Sequence, residues 1–238
     1  FRSKQPMQWW RQMWDIGFSA GSILSSLLIG VAMGNIAWGI PIDDRGEFAG
    51  TFWSLLHPYA LLLGITTVAL FTMHGAIYAL MKTEGALHDK LRGWITQCMI
   101  FFIICYAVTT MATLLYVPHM AARVRANPWL FSIALANMLA IANIPREIHR
   151  GSDWRAFLSS CAAMVTLMGL FGLEMFPNLV LSNPNPAHSL DIYNTASSPK
   201  TLGIMLTMAG IGVPVVVAYT VSIYWIFRGK VQLDRMSY

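Results

Sequence analysis

The chain has 238 residues, of which 56% are hydrophobic and only 11% charged, with a formal net charge of +5 and a mean hydropathy of +0.54. A soluble globule of this size would carry about a quarter charged residues, so the composition excludes one and calls for a lipid bilayer as the surrounding medium. The basic residues are dispersed at the ends of apolar runs with no compact soluble domain to gather them into a patch, which excludes nucleic acid as a partner.

Histidine aside, charge-free runs cover residues 16–42, 48–81, 93–122, 126–145, 156–173 and 201–227. A helix needs about 20 apolar residues to cross a bilayer. The expectation is an all-α, polytopic transmembrane helical bundle forming a single integral membrane domain over residues 1–238, with six spans at about 15–38, 54–81, 93–117, 128–145, 155–177 and 201–227. Arg2, Lys4 and Arg11 precede the first span; Lys82, Lys90 and Arg92 join the second to the third; Arg146, Arg150 and Arg155 join the fourth to the fifth; Arg228, Lys230 and Arg235 follow the last. That places 12 of the 16 Lys and Arg on one side and leaves Arg45, Arg123, Arg125 and Lys200 on the other, so the positive-inside rule puts both ends of this chain in the cytoplasm.

In chain order, Phe1-Arg2-Ser3-Lys4 is neither an initiator methionine nor a signal peptide, and reads as the start of a fragment within a cytoplasmic loop. Trp9, Trp10 and Trp14 suit the headgroup region, and Asp15 beside them is read as an N-terminal cap or helix-dipole partner. The first span carries Gly17, Gly21, Ser22, Ser25, Ser26, Gly30 and Gly34, small residues that let helix backbones approach, so this face is expected to be a packing seam with a neighbour. Asn35 follows near the outer end, where its amide can satisfy a freed carbonyl or touch a ligand, with packing the favoured role.

The second span holds two histidines, His57 near its outer end and His74 in its inner half. Histidine is a common haem ligand, but seventeen residues of helix leave the two rings roughly 100° apart. His88, His119, His149 and His188 lie in loops or at helix ends, so no paired set exists and packing is the expected role. The three cysteines, Cys98, Cys105 and Cys161, all lie inside spans without CxxC spacing. The first two share a helix face about 10 Å apart, too far for a disulfide, and all three read as small apolar residues. Lys82-Thr83-Glu84-Gly85 reads as a short hairpin turn with glycine at a left-handed helix terminus. The fifth span ends with Glu174 just before Phe176-Pro177; an ionisable group at membrane depth is a functional candidate, although one so near an end can reach water at little cost. Between Pro177 and Thr201 the mixture of Asn178, Asn183, Asn194, Pro184, Pro186 and Pro199 cannot continue a helix and forms a connecting loop, at whose end Ser197 or Ser198 can cap the last helix. That helix carries Gly210, Gly212 and Pro214, and a kink is expected there.

Several short motifs recur in order: Arg2-Ser3-Lys4; Met13-Trp14-Asp15 with Gly17; Ile29-Gly30-Val31-Ala32 with Gly34-Asn35; Gly39 and Pro41; Leu56 and Pro58; Gly75-Ala76 and Tyr78; Phe176-Pro177; and Ala196-Ser197-Ser198 ahead of Thr201-Leu202. The ordered set resembles subunit II of bacterial cytochrome bd-type ubiquinol oxidases over nearly the entire chain. The family subunit has nine helices, and the start of this chain resembles the loop before the fourth, so the first three helices are expected to be missing. The resemblance implies subunit II of a respiratory quinol:oxygen oxidoreductase in the bacterial cell (inner) membrane. In it, a partner subunit I holds haem b and haem d, oxidises ubiquinol at the outer side and reduces oxygen to water with electrogenic proton uptake. Subunit II of that family is a non-haem scaffold. Its proposed proton-delivery carboxylates lie in the helices absent here, so no such role passes to any residue of this chain, and Glu174 departs from the small or apolar residue expected before Phe176-Pro177.

The sequence therefore nominates no catalytic, cofactor-binding or metal residue. Asp15, Gly30, Gly34, Asn35, Pro58, Pro177, Ser197, Ser198 and Pro214 are structural candidates, and His57, His74 and Glu174 are the functional ones. The alternatives are a secondary transporter, which should show an internal repeat with matching helix breaks, and a haem-anchoring membrane subunit of a dehydrogenase, which needs histidines paired across two helices.

Overall fold

The computed structural model describes residues 7–230; Arg2, Lys4 and Arg235, which the charge pattern assigns to one side of the membrane, lie outside them. The helices are α1 (Gln8–Trp38), α2 (Pro58–Lys82), α3 (Gly85–Tyr116), the short α4 (Ala122–Ala126), α5 (Phe131–His149), α6 (Asp153–Met175) and α7 (Pro199–Ile226). Among the described residues, six of these, with α5 extended back to Pro128, are long and apolar enough to cross a membrane. The chain is a multi-pass helical membrane protein. Long connections at residues 39–57, 117–130 and 176–198 gather at one end of the bundle, called here the loop end, and tight turns at 83–84 and 150–152 at the other, the turn end.

The core lies among α2, α3, α5 and α6. Met73, Ile77 and Leu80 of α2 meet Ile95, Met99 and Phe102 of α3, Ile144 of α5 and Ala156 and Ala163 of α6, all buried. Spacings of three and four place each set on one helical stripe. Lipid tails are as apolar as leucine, so burial alone cannot hold such helices together, and interhelical hydrogen bonds and close packing supply specificity. Thr66 of α2 meets Thr109 of α3 at 2.6 Å between hydroxyls. Asn137, fully buried on α5, accepts from Tyr106 of α3 at 2.9 Å and donates to the Ala163 carbonyl and the Thr166 hydroxyl of α6 at 2.9 and 2.8 Å.

Helix α1 lies against α2 across the expected small-residue seam. A methyl group built on Gly30 would stand 2.7 Å from the Gly64 Cα, and one on Gly34 2.7 Å from the Ala60 Cα, distances that atoms do not tolerate. Gly17 and Gly21 have nothing within 4 Å at the corresponding position, so the contact occupies only the half of α1 nearest the loop end. Helix α7 is apolar on all sides and none of its residues is buried. It is tethered at the turn end, where Lys82 donates to the Phe227 carbonyl at 3.0 Å and Lys230 pairs with Glu84 at 3.1 Å.

Several boundaries differ from the sequence expectation. Helix α1 begins at Gln8 with Met7 at the cap position, so Asp15 stands two turns inside the helix and is not its N-cap; nothing in Gln8–Trp14 interrupts the helix on its way out of the apolar layer. The segment 52–56 is a separate 3-10 turn, and α2 starts afresh at Pro58 with His57 extended before it. Helix α3 begins at Gly85, whose φ of +66° reverses the chain within two residues, which leaves the charged stretch 88–92 helical outside the apolar run. Helix α5 continues through Pro145 to His149; so close to the helix end the missing amide is easily accommodated. It ends where Gly151, at φ +74°, donates to the Ile148 carbonyl and Ser152 to that of Glu147, the paired closure that glycine permits at a helix terminus. Helix α7 starts at Pro199, two residues before the expected 201, and contains Pro214 in its interior. The connection after Pro177 contains a small hairpin, β1 (Asn178–Val180) antiparallel to β2 (Leu190–Asp191), that its turn-forming composition does not signal.

Candidate functional site

The loop end is where most of the singled-out residues meet. The hairpin is strapped across the end of α1: the amide of Ile40 donates to the Leu181 carbonyl and that of Asn183 to the Ile40 carbonyl, both at 3.0 Å. Gly39 makes this approach possible, because its φ of +90° suits glycine and a side chain there would press on Asn183 and Leu181. The His188 ring donates to the Ile42 carbonyl at 3.0 Å, and the Ser189 hydroxyl accepts the Ser182 amide at 3.0 Å. Pro177 accepts the Ile192 amide at its carbonyl. Beneath this strap Asn35, 7% exposed, donates to the carbonyls of Val31 in its own helix and Leu55 in the 52–56 turn, both at 2.8 Å. The amide satisfies a carbonyl that a packed turn leaves open.

Glu174 sits at the last turn of α6. Its two carboxylate oxygens accept the backbone amides of Arg123 and Val124 at 2.9 and 2.8 Å, the free donors at the start of α4. The Arg123 guanidinium in turn donates to the Phe176 carbonyl at 2.6 Å and lies over the Phe176 ring at 5.3 Å. The carboxylate is thus engaged with the 117–130 connection and fastens it to the end of α6.

His57 caps α2: its Nδ1 accepts the Ala60 amide at 3.3 Å, while Pro58 occupies the first helical position, where its missing donor does no harm. Burial pushes the imidazole below the ordinary histidine range, and a ring that accepts at Nδ1 carries its proton at Nε2. That nitrogen is buried and without a hydrogen-bond partner, beside the rings of Trp38 at 5.0 Å and Tyr59 at 6.3 Å. His74, half-buried on α2, meets the Ser160 hydroxyl of α6 at 2.8 Å and stacks on Phe157 at 5.1 Å. Ser160 gives its own proton to the Phe157 carbonyl, so His74 donates to it from Nδ1. His88 and His119 donate to the carbonyls of Leu80 and Ala37.

The Nε2 of His57 is buried, and the Nδ1 of His74 is engaged across the α2–α6 contact. Among the described residues no three His, Cys, Asp or Glu side chains stand together in a way that could hold a metal ion.

At the start of α7, Ser198 is the cap, accepting the Thr201 amide at 3.3 Å, with Pro199 at the first position. Ser197 is exposed and precedes the cap. The sequence singled out Asn35, Glu174, His57 and His74, but it did not single out Asn137, whose asparagine in an apolar run was the available signal, nor Arg123, whose partners lie about 50 residues away.

Fold and site together define a polytopic helical membrane protein in which Glu174, His57 and His74 bind groups of the same chain. A family model described as cytochrome bd terminal oxidase subunit II matches residues 1–227, and the chain belongs to that family. It is 30% identical to the cytochrome bd-I ubiquinol oxidase subunit 2 of Escherichia coli K12 over 262 aligned positions, covering 97% of this chain and 69% of that protein. It is 29% identical to a probable cytochrome oxidase subunit 2 of Haemophilus influenzae, over 98% of this chain and 70% of that one. With the cytochrome bd ubiquinol oxidase subunit 2 of Bacillus subtilis it shares 25%, over 97% and 68%.

Proposed function

We propose that this chain is the haem-free scaffold of a quinol oxidase complex. The haems b and d that oxidise ubiquinol and reduce oxygen to water reside in a partner subunit I, where electrogenic proton uptake also ends. The observation that carries this reading is the state of its functional candidates: Glu174, His57 and His74 each bind amides or hydroxyls of this same chain. Helix α7 supports it, since a helix of 28 residues with none buried offers its apolar surface to another protein chain as readily as to lipid. The complex lies in the bacterial inner membrane with both ends of this chain in the cytoplasm, a reading supported by nine basic residues on the turn-end side against four on the other among the described residues.

An affinity-tagged chain tests this. It should bring down one larger subunit that carries all the haem, together with quinol-dependent oxygen uptake, and the tagged chain expressed without that subunit should show no Soret band. A Soret band from the chain on its own would overturn the reading.

A further inference from the structure

Outside the loop end, the surface of the α5–α6 hairpin carries a groove of about 460 Å³. It is lined by the apolar Leu139, Leu158 and Ala162 and by the polar Asn143, Ser159 and Arg146. The Asn143 amide donates to the Ser159 hydroxyl at 2.9 Å and ties the two helices together there. Ser159 donates onward to the Arg155 carbonyl at 2.9 Å, which marks Arg155 as one turn nearer the turn end on the same side of α6. Arg146 is three residues past Asn143 on α5 and donates to its side-chain oxygen at 3.3 Å. Both arginines are exposed; Arg146 lines the groove, and Arg155 stands on the facing helix one turn beyond the Asn143–Ser159 bridge. Of the acidic groups in the same turn, Glu147 pairs with Arg150 at 3.5 Å and Asp153 has one oxygen buried without a hydrogen-bond partner.

The depth is that of a lipid. Arg146 is three residues from the end of α5 and Arg155 two from the start of α6, which is headgroup level for helices that cross a bilayer. From Arg146 to Leu139 the groove runs about 10 Å toward the middle of the membrane, changing from charged to amide and hydroxyl to aliphatic, the order in which a phospholipid presents phosphate, glycerol esters and acyl chain. Arginine is suited to phosphate because its planar fork offers two parallel donors. Asn143 uses one of its two amide hydrogens on Ser159 and can offer the other to an ester carbonyl.

We propose that this groove is a specific site for one anionic phospholipid, with the phosphate between Arg146 and Arg155 and the first acyl segment along Leu139, Leu158 and Ala162. The site does not depend on the catalytic role assigned to the complex. The test uses the whole complex, stripped of lipid in detergent and titrated with phosphatidylglycerol or phosphatidylcholine of matched chains while bound lipid is counted by native mass spectrometry. The wild-type complex should take up one phosphatidylglycerol in preference to phosphatidylcholine. The double substitution Arg146→Gln, Arg155→Gln should lower that affinity roughly 30-fold, the factor expected of two basic residues at an anionic lipid surface. Ala162→Phe, which fills the apolar part while leaving both arginines, should also abolish the bound lipid. Equal uptake of the two lipids by the wild-type complex, unchanged uptake by either assembled variant, or complete displacement of phosphatidylglycerol by millimolar inorganic phosphate would each overturn the proposal, the last by showing a free-anion site.

Discussion

Glu174 shows how a residue that looks expensive becomes structural. A carboxylate near the end of a membrane helix costs solvation unless donors replace the lost water, and here the amides of Arg123 and Val124 do so. Glu174→Ala removes both acceptors and should lower the stability of the assembled complex by about 1 to 3 kcal/mol, the range for hydrogen bonds to charged groups, seen as a lower melting temperature with turnover per complex unchanged. A drop in turnover at unchanged melting would move Glu174 into the chemistry. That Glu174 stands before Phe176-Pro177 was plain from the sequence. Its role was not, because its partners are backbone groups 50 and 51 residues earlier in a connection whose course depends on the tertiary fold. Asn35 was more legible, since an amide near a helix end was expected to satisfy a freed carbonyl, whereas the span drawn from 54 hid the helix start at Pro58 and with it the capping role of His57.

At the level of elements, the contact between α1 and α2 depends on the absence of side chains. Gly30 faces Gly64 and Leu63 so closely that even a methyl group must displace backbone. Gly30→Leu should therefore cost about 1 to 3 kcal/mol by overpacking and reduce the yield of assembled complex without changing the activity of what assembles. Gly75→Ala, at a position with nothing within 4 Å, should leave the yield unchanged; equal losses from both would mean that the seam is not the cause. The cap of α7 makes a second case. Ser198→Ala should lower stability by about 0.5 to 2 kcal/mol, whereas Ser197→Ala, one residue outside the cap, should have little effect on the melting curve. Small residues at near-fourfold spacing made the seam on α1 legible, but not its partner helix or its confinement to Gly30 and Gly34, since Gly17 and Gly21 belong to the same pattern. The β1–β2 hairpin was illegible for a plainer reason: strands of three and two residues are too short to show alternation.

For the molecule as a whole, six apolar runs translate into six long helices because the bilayer demands length and internal hydrogen bonding and little else. That constraint made the architecture readable. It did not make readable how the helices choose partners, which rests on buried polar pairs such as Thr66 with Thr109 and Asn137 with Tyr106, each a single residue in an otherwise apolar run. It also did not show that α7 would stand apart from the four-helix core, since its composition resembles that of its neighbours. The central claim is that this subunit holds the assembly together and ligates no haem. The most direct test is the reduced-minus-oxidised spectrum of the assembled complex carrying His57→Ala and His74→Ala together, normalised to the amount of complex. All haem bands should remain at wild-type intensity while the melting temperature falls through loss of the α2 cap and the Ser160 contact; disappearance of one haem band from a complex that still assembles would contradict it.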